Sequence, residues 1–561
     1  IPLLVAGLAH AHGGQYRGPG GIVPPGNSTS PSTSNNQTSG STVPGNNSPA
    51  APSSSGGGRA GAGGSAKGAG ASSATPRGYL VGDDLGRWEY WWEFGKDPYL
   101  RLRDSVYSDR GEDPLARWNP RLANLKRRAQ PPSPTDVQGV ARQLAQLLTK
   151  TEDRDTASSC LVALAKIGSE RAGFELRDRI TPLLTSGDQE LRESAALALG
   201  ISGDLDAANV DCLIQLMEDS PAGRKLSGGR AVNERTRSFA AFAAGLLLHR
   251  SRQAGVSLRI SRALEAIVAA PEDHGRNLVV AAVEALALLP RDWRGAAADT
   301  LRKGIIFQLG SFYDQELGAG DQLLQAHVPT ALARLLPPKS IDSVKWRNRF
   351  REDLLLGLRS STGNKVKVNH HVAQSCVLAL GRMCEPWESD NSTSHAVGEL
   401  LMRVHQEHRD EHTRSFAALA LAQIGGANAQ AYLVSELAEA NKAIEQPWLA
   451  MALGVMASRQ RIAGSHQGRH AADHDAIATA LIAQFKKARN PGTVGAIAIA
   501  LGMTGANGAR DLIRDAMVKN HKRDGVAGYT ALALGLLQDA SVVNDLRDLR
   551  ESAARRPFVL M

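Results

Sequence analysis

One stretch limits what this chain can fold into more than any other. Residues 413–425, TRSFAALALAQIG, return in altered form along most of the sequence. The nearest copy is 236–248, TRSFAAFAAGLLL, in which residues 236–241 match 413–418 letter for letter. Further copies are ESAALALGISG at 193–203, SCVLALGRMC at 375–384, WLAMALGVM at 448–456, AIAIALGMTG at 496–505 and TALALGLL at 530–537. Self-similarity of this kind signals a repeat array. Within 194–201, Ala195, Ala196, Leu197, Ala198, Leu199 and Gly200 leave no polar face, so the helix they form must be covered on nearly every side. Small residues let neighbouring helices approach closely and Leu side chains fill the remaining space. Gly203 then ends the helix by supplying a left-handed C-cap. After it, Val210, Leu213, Ile214 and Met217 recur at i, i+3, i+4 and i+7, the pattern of an amphipathic helix with one buried stripe. The unit is helix, tight turn, helix.

Aligning the copies on the position of Gly200 gives ten anchors: Ala165, Gly200, Gly245, Ala287, Arg334, Gly381, Ala422, Gly454, Gly502 and Gly535. Their spacing runs from 32 to 48 residues, about 41 on average, which suits paired-helix repeats of the HEAT and armadillo kind rather than the stricter periods of TPR or ankyrin. The fold class expected is therefore all-α, a solenoid of about ten helix-turn-helix repeats over residues 135–561. The segment RESAALALGISGD at 192–204 resembles the repeat of HEAT proteins of the phycobilisome-lyase type, a family that includes scaffolds, lyases and hydroxylases. The leader HGGQYRGPG at 12–20 and the block WEYWWEFGKDPYL at 88–100 further resemble exported HEAT-repeat proteins of planctomycete-type bacteria. That resemblance implies the bacterial envelope and no particular chemistry.

Ahead of the array the chain changes character three times. Residues 1–11, IPLLVAGLAHA, read as the remnant of a secretory signal peptide, an apolar run ending on small residues at the two positions a signal peptidase reads. Residues 12–78 are Gly, Ser, Thr, Asn and Pro with almost nothing apolar, a composition that cannot offset the entropy of ordering and so predicts a disordered tether. Its sequons at Asn27, Asn36 and Asn46 arise easily in such a composition. Residues 79–134 hold Trp88, Tyr90, Trp91, Trp92, Phe94, Tyr99, Tyr107 and Trp118. Such a cluster needs a surface. It reads as an N-terminal cap on the first repeat, because solenoid ends need special residues. The alternative is a binding platform built on Trp88, Trp91 and Trp92. At the other end, 555–561 finish on apolar residues without a polar closing helix, which predicts a chain cut short at its C-terminus.

Motifs for chemistry are sparse. The sequence carries no glycine-rich phosphate loop after a strand, no G-x-S-x-G and no H-E-x-x-H. Cys160 and Cys376 stand five residues before their anchors, where other repeats have Ala, and read as small core residues. Cys376 and Cys384 are too far apart along one helix to bridge, since eight residues rise roughly 12 Å. The net charge of +9 falls to +5 beyond residue 78, a weak argument for a polyanionic partner. Basic runs at 126–128, at 345–351 (KWRNRFR, with Trp346) and at 519–523 could grip nucleic acid, but mixed charges nearby and the export signal favour solvated helix faces. No apolar run reaches the length of a membrane span.

Histidines supply the one candidate for a metal. His371 and His412 each stand ten residues before their anchors, at equivalent positions on neighbouring repeats, with His370 beside the first and Glu411 beside the second. His405 and His408 lie between them. Neighbouring helices ~8–10 Å apart allow imidazoles to converge on a transition metal, so His370, His371, His405, His408 and His412 form a possible ligand set. The pairs Glu407-His408 and Glu411-His412 reverse the His-Glu order of deoxyhypusine hydroxylases, which are also HEAT-type. Glu190 and Arg235 hold the same repeat position elsewhere, which suits any water-facing edge. His466, His470 and His474 form a second set beside Gly464 and Gly468, and cleavage after Ala11 would expose His12 as a copper-chelating N-terminus. Taken together, the sequence points to an exported, non-enzymatic scaffold that binds a protein or other envelope macromolecule on an extended face, without a resident cofactor. A metal site or enzyme on the solenoid edge is the second reading, and a nucleic-acid binder the third.

Overall fold

In the computed structural model the described residues are 87–100, 132–318, 321–360, 369–388, 394–467 and 475–552. The signal remnant, the tether with its sequons and His12, the basic run at 126–128, Tyr107, Trp118, His470, His474 and the C-terminal residues 555–561 lie outside them, as do the side chains of Phe94 and His466.

Every regular element among the described residues is helical. The first, α1 (Trp88–Gly95), is followed by the single turn Asp97–Leu100. Then come α2 (Pro134–Lys150), α3 (Arg154–Ile167), α4 (Gln189–Ser202), α5 (Ala207–Glu218), α6 (Glu234–Arg250), α7 (Ala254–Ala269), α8 (Arg276–Leu286) and α9 (Ala296–Tyr313). The array continues with α10 (Val328–Leu335), α11 (Ile341–Ser360), α12 (His370–Met383), α13 (His395–Glu407), α14 (Glu411–Ile424) and α15 (Ala427–Glu439). It ends with α16 (Glu445–Gln467), α17 (Asp475–Lys487), α18 (Pro491–Thr504), α19 (Arg510–Lys519), α20 (Asp524–Leu536) and α21 (Val543–Ser552).

These helices form two layers. The front layer is the row α3, α4, α6, α8, α10, α12, α14, α16, α18, α20, each packed on the next. All ten anchors fall in this row, with Ala287 capping the end of α8. The back layer, α2, α5, α7, α9, α11, α13, α15, α17 and α19, fills the other side, and most of its members pack on the front helix that follows. The absence of a polar face is realised: in α18 every residue from Gly495 to Thr504 is buried. Back helices keep one stripe, as in α5, where Val210, Leu213 and Met217 are buried and Ile214 is half-buried.

Close approach within the front row has a specific geometry. A Cβ placed on Gly200 would lie 2.5 Å from the Cα and carbonyl oxygen of Ala243, and one on Gly245 would lie 2.7 Å from the Cα of Ala285. Gly381 meets Ala420 and Gly454 meets Ala500, both at 2.8 Å, and Gly502 meets the Ala533 oxygen at 2.9 Å. The partner is always the Ala two residues before the next anchor. Side-chain-free anchors therefore set the distance between repeats.

The start of the front helices shows a second regularity. Asp153, Asp188, Asn233, Asn369, Asp410 and Asn490 each stand twelve residues before an anchor, and each accepts a hydrogen bond from a backbone N–H of the first turn. Such caps satisfy donors that the helix itself leaves unpaired. Gly203 and Gly505 end α4 and α18 in the left-handed conformation, with φ of 73° and 75°.

The first repeat is closed by α2, whose capping box joins Ser133 to Asp136 and whose buried face is Val137, Ala141 and Leu148. This corrects the expectation that the aromatic block caps this end. Trp88, Trp91 and Trp92 pack elsewhere, because α2 already covers α3.

Candidate binding face

The aromatic helix α1 lies on the front layer at the other end of the array, against α16 and α18. Trp88, 3% exposed, places its ring 4.9 Å from that of Tyr529 on α20. It lies over Gly492 and Gly495 of α18: a Cβ on Gly495 would come within 3.4 Å of the Trp88 ring and 2.7 Å of the Tyr529 ring. Two glycines one turn apart thus leave a slot where any larger side chain would stand. Trp91, three residues on and so on the same helix face, meets Trp448 of α16 at 6.3 Å, and Trp448 meets Phe416 of α14 edge-on at 5.8 Å. Trp92 is fully buried and stacks on Tyr99, 6.1 Å away. These arrangements are the offset and edge-on geometries that aromatic quadrupoles favour.

Phe416, Trp448 and Tyr529 share one repeat position, six residues before the anchor, and Phe239 of α6 holds it too. Four of the ten repeats thus carry an aromatic side chain at this position of the front layer, three of them near α1, while Ser, Ala or Val holds it in the rest. Sequence reasoning missed this recurrence, although its signal, an aromatic at a fixed distance from the anchor, is present in the repeat.

Charge surrounds the far end of the segment. Burial pushes the Tyr99 phenol up to about 12, against the opposing pull of Arg459 and Arg382. Burial also brings Arg382 down to about 10; Arg334 and Arg459 add to that, and Glu284 opposes it. Glu284 is itself held by Arg334 and by His327 Nδ1, 3.0 Å away. Near the start of α1, Glu89 pairs with Arg87 at 2.7 Å. The indole N–H groups of Trp88 and Trp92 are buried without an acceptor among the described residues.

The histidines are arranged otherwise than a ligand set requires. His371 and His412 do occupy equivalent positions, each two residues past an Asx cap, and His370 and His371 have ring centres 3.9 Å apart. His405, on the back helix α13, directs Nδ1 to the Tyr432 hydroxyl at 2.8 Å, with Glu436 at 3.8 Å. His408 Nδ1 accepts the backbone N–H of Asp410 at 3.1 Å, and the Asp410 carboxylate is used by Thr413 and by Gln374. Burial lowers His371, His405 and His408, His405 to about 4. Among the described residues no group of three or more His, Cys, Asp or Glu could hold a metal. The structure thus places His370, His371, His408 and His412 along the helix-start edge, while His405 forms a buried pair with Tyr432. That edge is polar throughout: Arg154 meets Glu190 at 3.0 Å, and Arg235 meets Glu193 at 2.9 Å.

Trp346, the aromatic of the basic run at 345–351, is 5% exposed and packs on Phe350 and Tyr313. Arg347 donates to the Pro338 and Met383 carbonyls and Arg349 pairs with Asp314 and Asp353, so this run offers no stacking surface to a base. Tyr313 also donates to Asp353 at 2.8 Å beside a polar cavity of about 150 Å³ lined by Gln325, Arg349 and Asn369, room for a few waters. All four cysteines are buried and unbridged. Among the described residues no helix is long and apolar enough to cross a membrane.

Residues 141–233 match the family described as HEAT repeats. No curated protein matches the chain. Among solved structures, an engineered protein is 18% identical with a TM-score of 0.30, covering 71% of this chain and 99% of its own. Yeast importin-beta (Kap95p) is 12% identical with a TM-score of 0.42, covering 83% of this chain and 59% of its own. The CpcE and CpcF complex of phycocyanin lyase from Nostoc is 17% identical with a TM-score of 0.25, covering 58% and 94%. The chain spans 53% of the karyopherin Kap121p, which it also matches. HEAT repeats are matched over 141–233, and the same helix pair and glycine-to-alanine packing continue to Ala533, so the described residues from 134 onward form an α-solenoid.

Proposed function

We propose that this solenoid is a non-enzymatic scaffold of the bacterial envelope whose front layer binds a segment of another protein. The observation that carries the reading is the docking of α1. A helix remote in sequence packs on α16, α18 and α20, with Trp88 and Trp91 set against Tyr529, Trp448 and a glycine slot. A face that seats one aromatic helix has the shape and chemistry to seat a partner's helix. Phe239 holds the same repeat position on α6, away from α1, with Ala281, Val328 and Ser375 at that position in the repeats between. Export is supported by the signal-like residues 1–11, and the envelope by the resemblance of the leader and aromatic block to exported proteins.

The test places a photo-crosslinking amino acid at Phe239 on the front layer and, separately, at the exposed Leu258 on the back layer. Illumination in the native envelope fraction is expected to yield a discrete protein adduct from the Phe239 position and none from Leu258. Equal adducts from both layers, or none from the front, would refute the proposal.

A further inference from the structure

We propose that residues 88–100 are an intramolecular ligand: they occupy the partner-binding face and disclose the partner's chemistry, a short aromatic helix with Trp at i and i+3. The proposal rests on the reading of the front layer as a binding face.

Three observations carry it. First, the segment behaves as a ligand in its contacts. Trp88 and Trp91 lie one turn apart and enter separate sites, Trp88 the slot over Gly492 and Gly495 beside Tyr529, Trp91 the face of Trp448. Recognition of helices through anchors at i and i+3 or i+4 has this form. Second, the receiving sites belong to the repeat rather than to the segment. Phe416, Trp448 and Tyr529 stand at one repeat position of α14, α16 and α20, and Phe416 packs on Trp448 without any residue of α1, so these aromatics are part of the solenoid. Third, the fit is incomplete. Two indole N–H groups are buried without an acceptor among the described residues, and a neutral phenol, Tyr99, stands beside the guanidinium groups of Arg382 and Arg459. A partner that pairs those donors, or sets a carboxylate beside those arginines, displaces a segment that does neither.

The test uses the full chain and a fluorescein-labelled peptide of residues 85–102. Anisotropy titrations compare the wild-type chain with the Trp88→Ala, Trp91→Ala double variant, whose face the substitutions vacate. The double variant is expected to bind the peptide saturably at one site, and the wild type at least tenfold more weakly. Gly495→Leu in the double variant is expected to abolish binding. Because that change could disturb α18, a second arm leaves the solenoid untouched: a peptide carrying Trp88→Ala and Trp91→Ala must fail to bind the same double variant. Equal affinity of wild type and double variant, or no binding to either, overturns the proposal. A wild-type dimer that becomes monomeric in the double variant moves the segment onto a second copy and also overturns it. Failure here with a persistent Phe239 adduct removes the internal ligand and leaves the scaffold reading standing; peptide binding without that adduct does the reverse.

Discussion

Gly200→Ala tests the claim that anchor glycines set the distance between repeats. In most helices the change is favourable, because Ala exceeds Gly by about 1 kcal/mol in a helix interior. Here the new methyl would stand 2.5 Å from the Ala243 Cα and carbonyl oxygen, against 3.4 Å or more for an ordinary contact. The obstructing atoms are backbone, so α4 and α6 must part by about 1 Å, and their interdigitated Leu and Ala side chains with them. Overpacking of this kind costs about 1–3 kcal/mol, and with backbone on the far side the upper part of that range applies. After the gain in propensity, a net loss of about 2 kcal/mol is expected. Gly535, an anchor of the same repeat position in α20, meets nothing within 4 Å, so Gly535→Ala should stabilise by about 1 kcal/mol. Urea unfolding followed by far-UV circular dichroism reads both, with midpoints moving in opposite directions. Adding Ala243→Gly should restore little, because the Cα and carbonyl remain. If Gly200→Ala raises the midpoint as Gly535→Ala does, the spacing argument fails.

Four further outcomes follow from the geometry. Trp88→Ala removes a side chain that is 3% exposed and should loosen α16, α18 and α20 by about 3 kcal/mol; hydrogen exchange must rise there and stay unchanged in α3 and α4. His405 is held near 4, chiefly by burial and secondarily by Arg414, while its unfolded value is near 6.5. The unfolded chain therefore binds the extra proton in that window, and stability, full above pH 6.5, falls as pH drops toward 4. Wild type should lose about 2 kcal/mol more than His405→Gln between pH 7.5 and 5, and equal losses would contradict the assignment. All four cysteines are buried, and burial raises each thiol, so Ellman's reagent should titrate none in the native chain and all four in denaturant. A peptide of residues 85–102 with Tyr99→Glu should bind the Trp88→Ala, Trp91→Ala chain more tightly than the native peptide, since its carboxylate meets Arg382 and Arg459; weaker binding would show that the phenol is the better fit.

The repeat register was legible because its causes are local. Each front helix needs a small residue where the next helix approaches, and that need recurs at Gly200, Gly245, Gly381, Gly454 and Gly502 whatever the intervening loops do. Even Arg334, an anchor with no small side chain, falls in the front helix α10. The docking site of α1 was not legible. Trp88 and Tyr529 are joined by no periodicity, and the features that receive Trp88 include the absence of side chains at Gly492 and Gly495, which a sequence shows only as ordinary helix-start glycines. The histidines divide along the same line. Counting from the anchor placed His371 and His412 correctly at matching helix starts, but counting says nothing of where a ring points. His405 turns to Tyr432 because that hydroxyl, on the adjacent back helix, satisfies it in a buried site.

The contact between Trp88 and Tyr529 also bears on how the molecule is made. Most of its packing joins neighbours in sequence, so repeats can fold in turn as they leave the ribosome, each on the one before. The aromatic segment cannot. Trp88 leaves the ribosome some 440 residues before Tyr529, roughly 20 to 90 seconds at ~5–20 residues per second. Throughout that interval Trp88 has no Tyr529 to receive it, so the seating of α1 on α20 must wait until the repeats between them have been made.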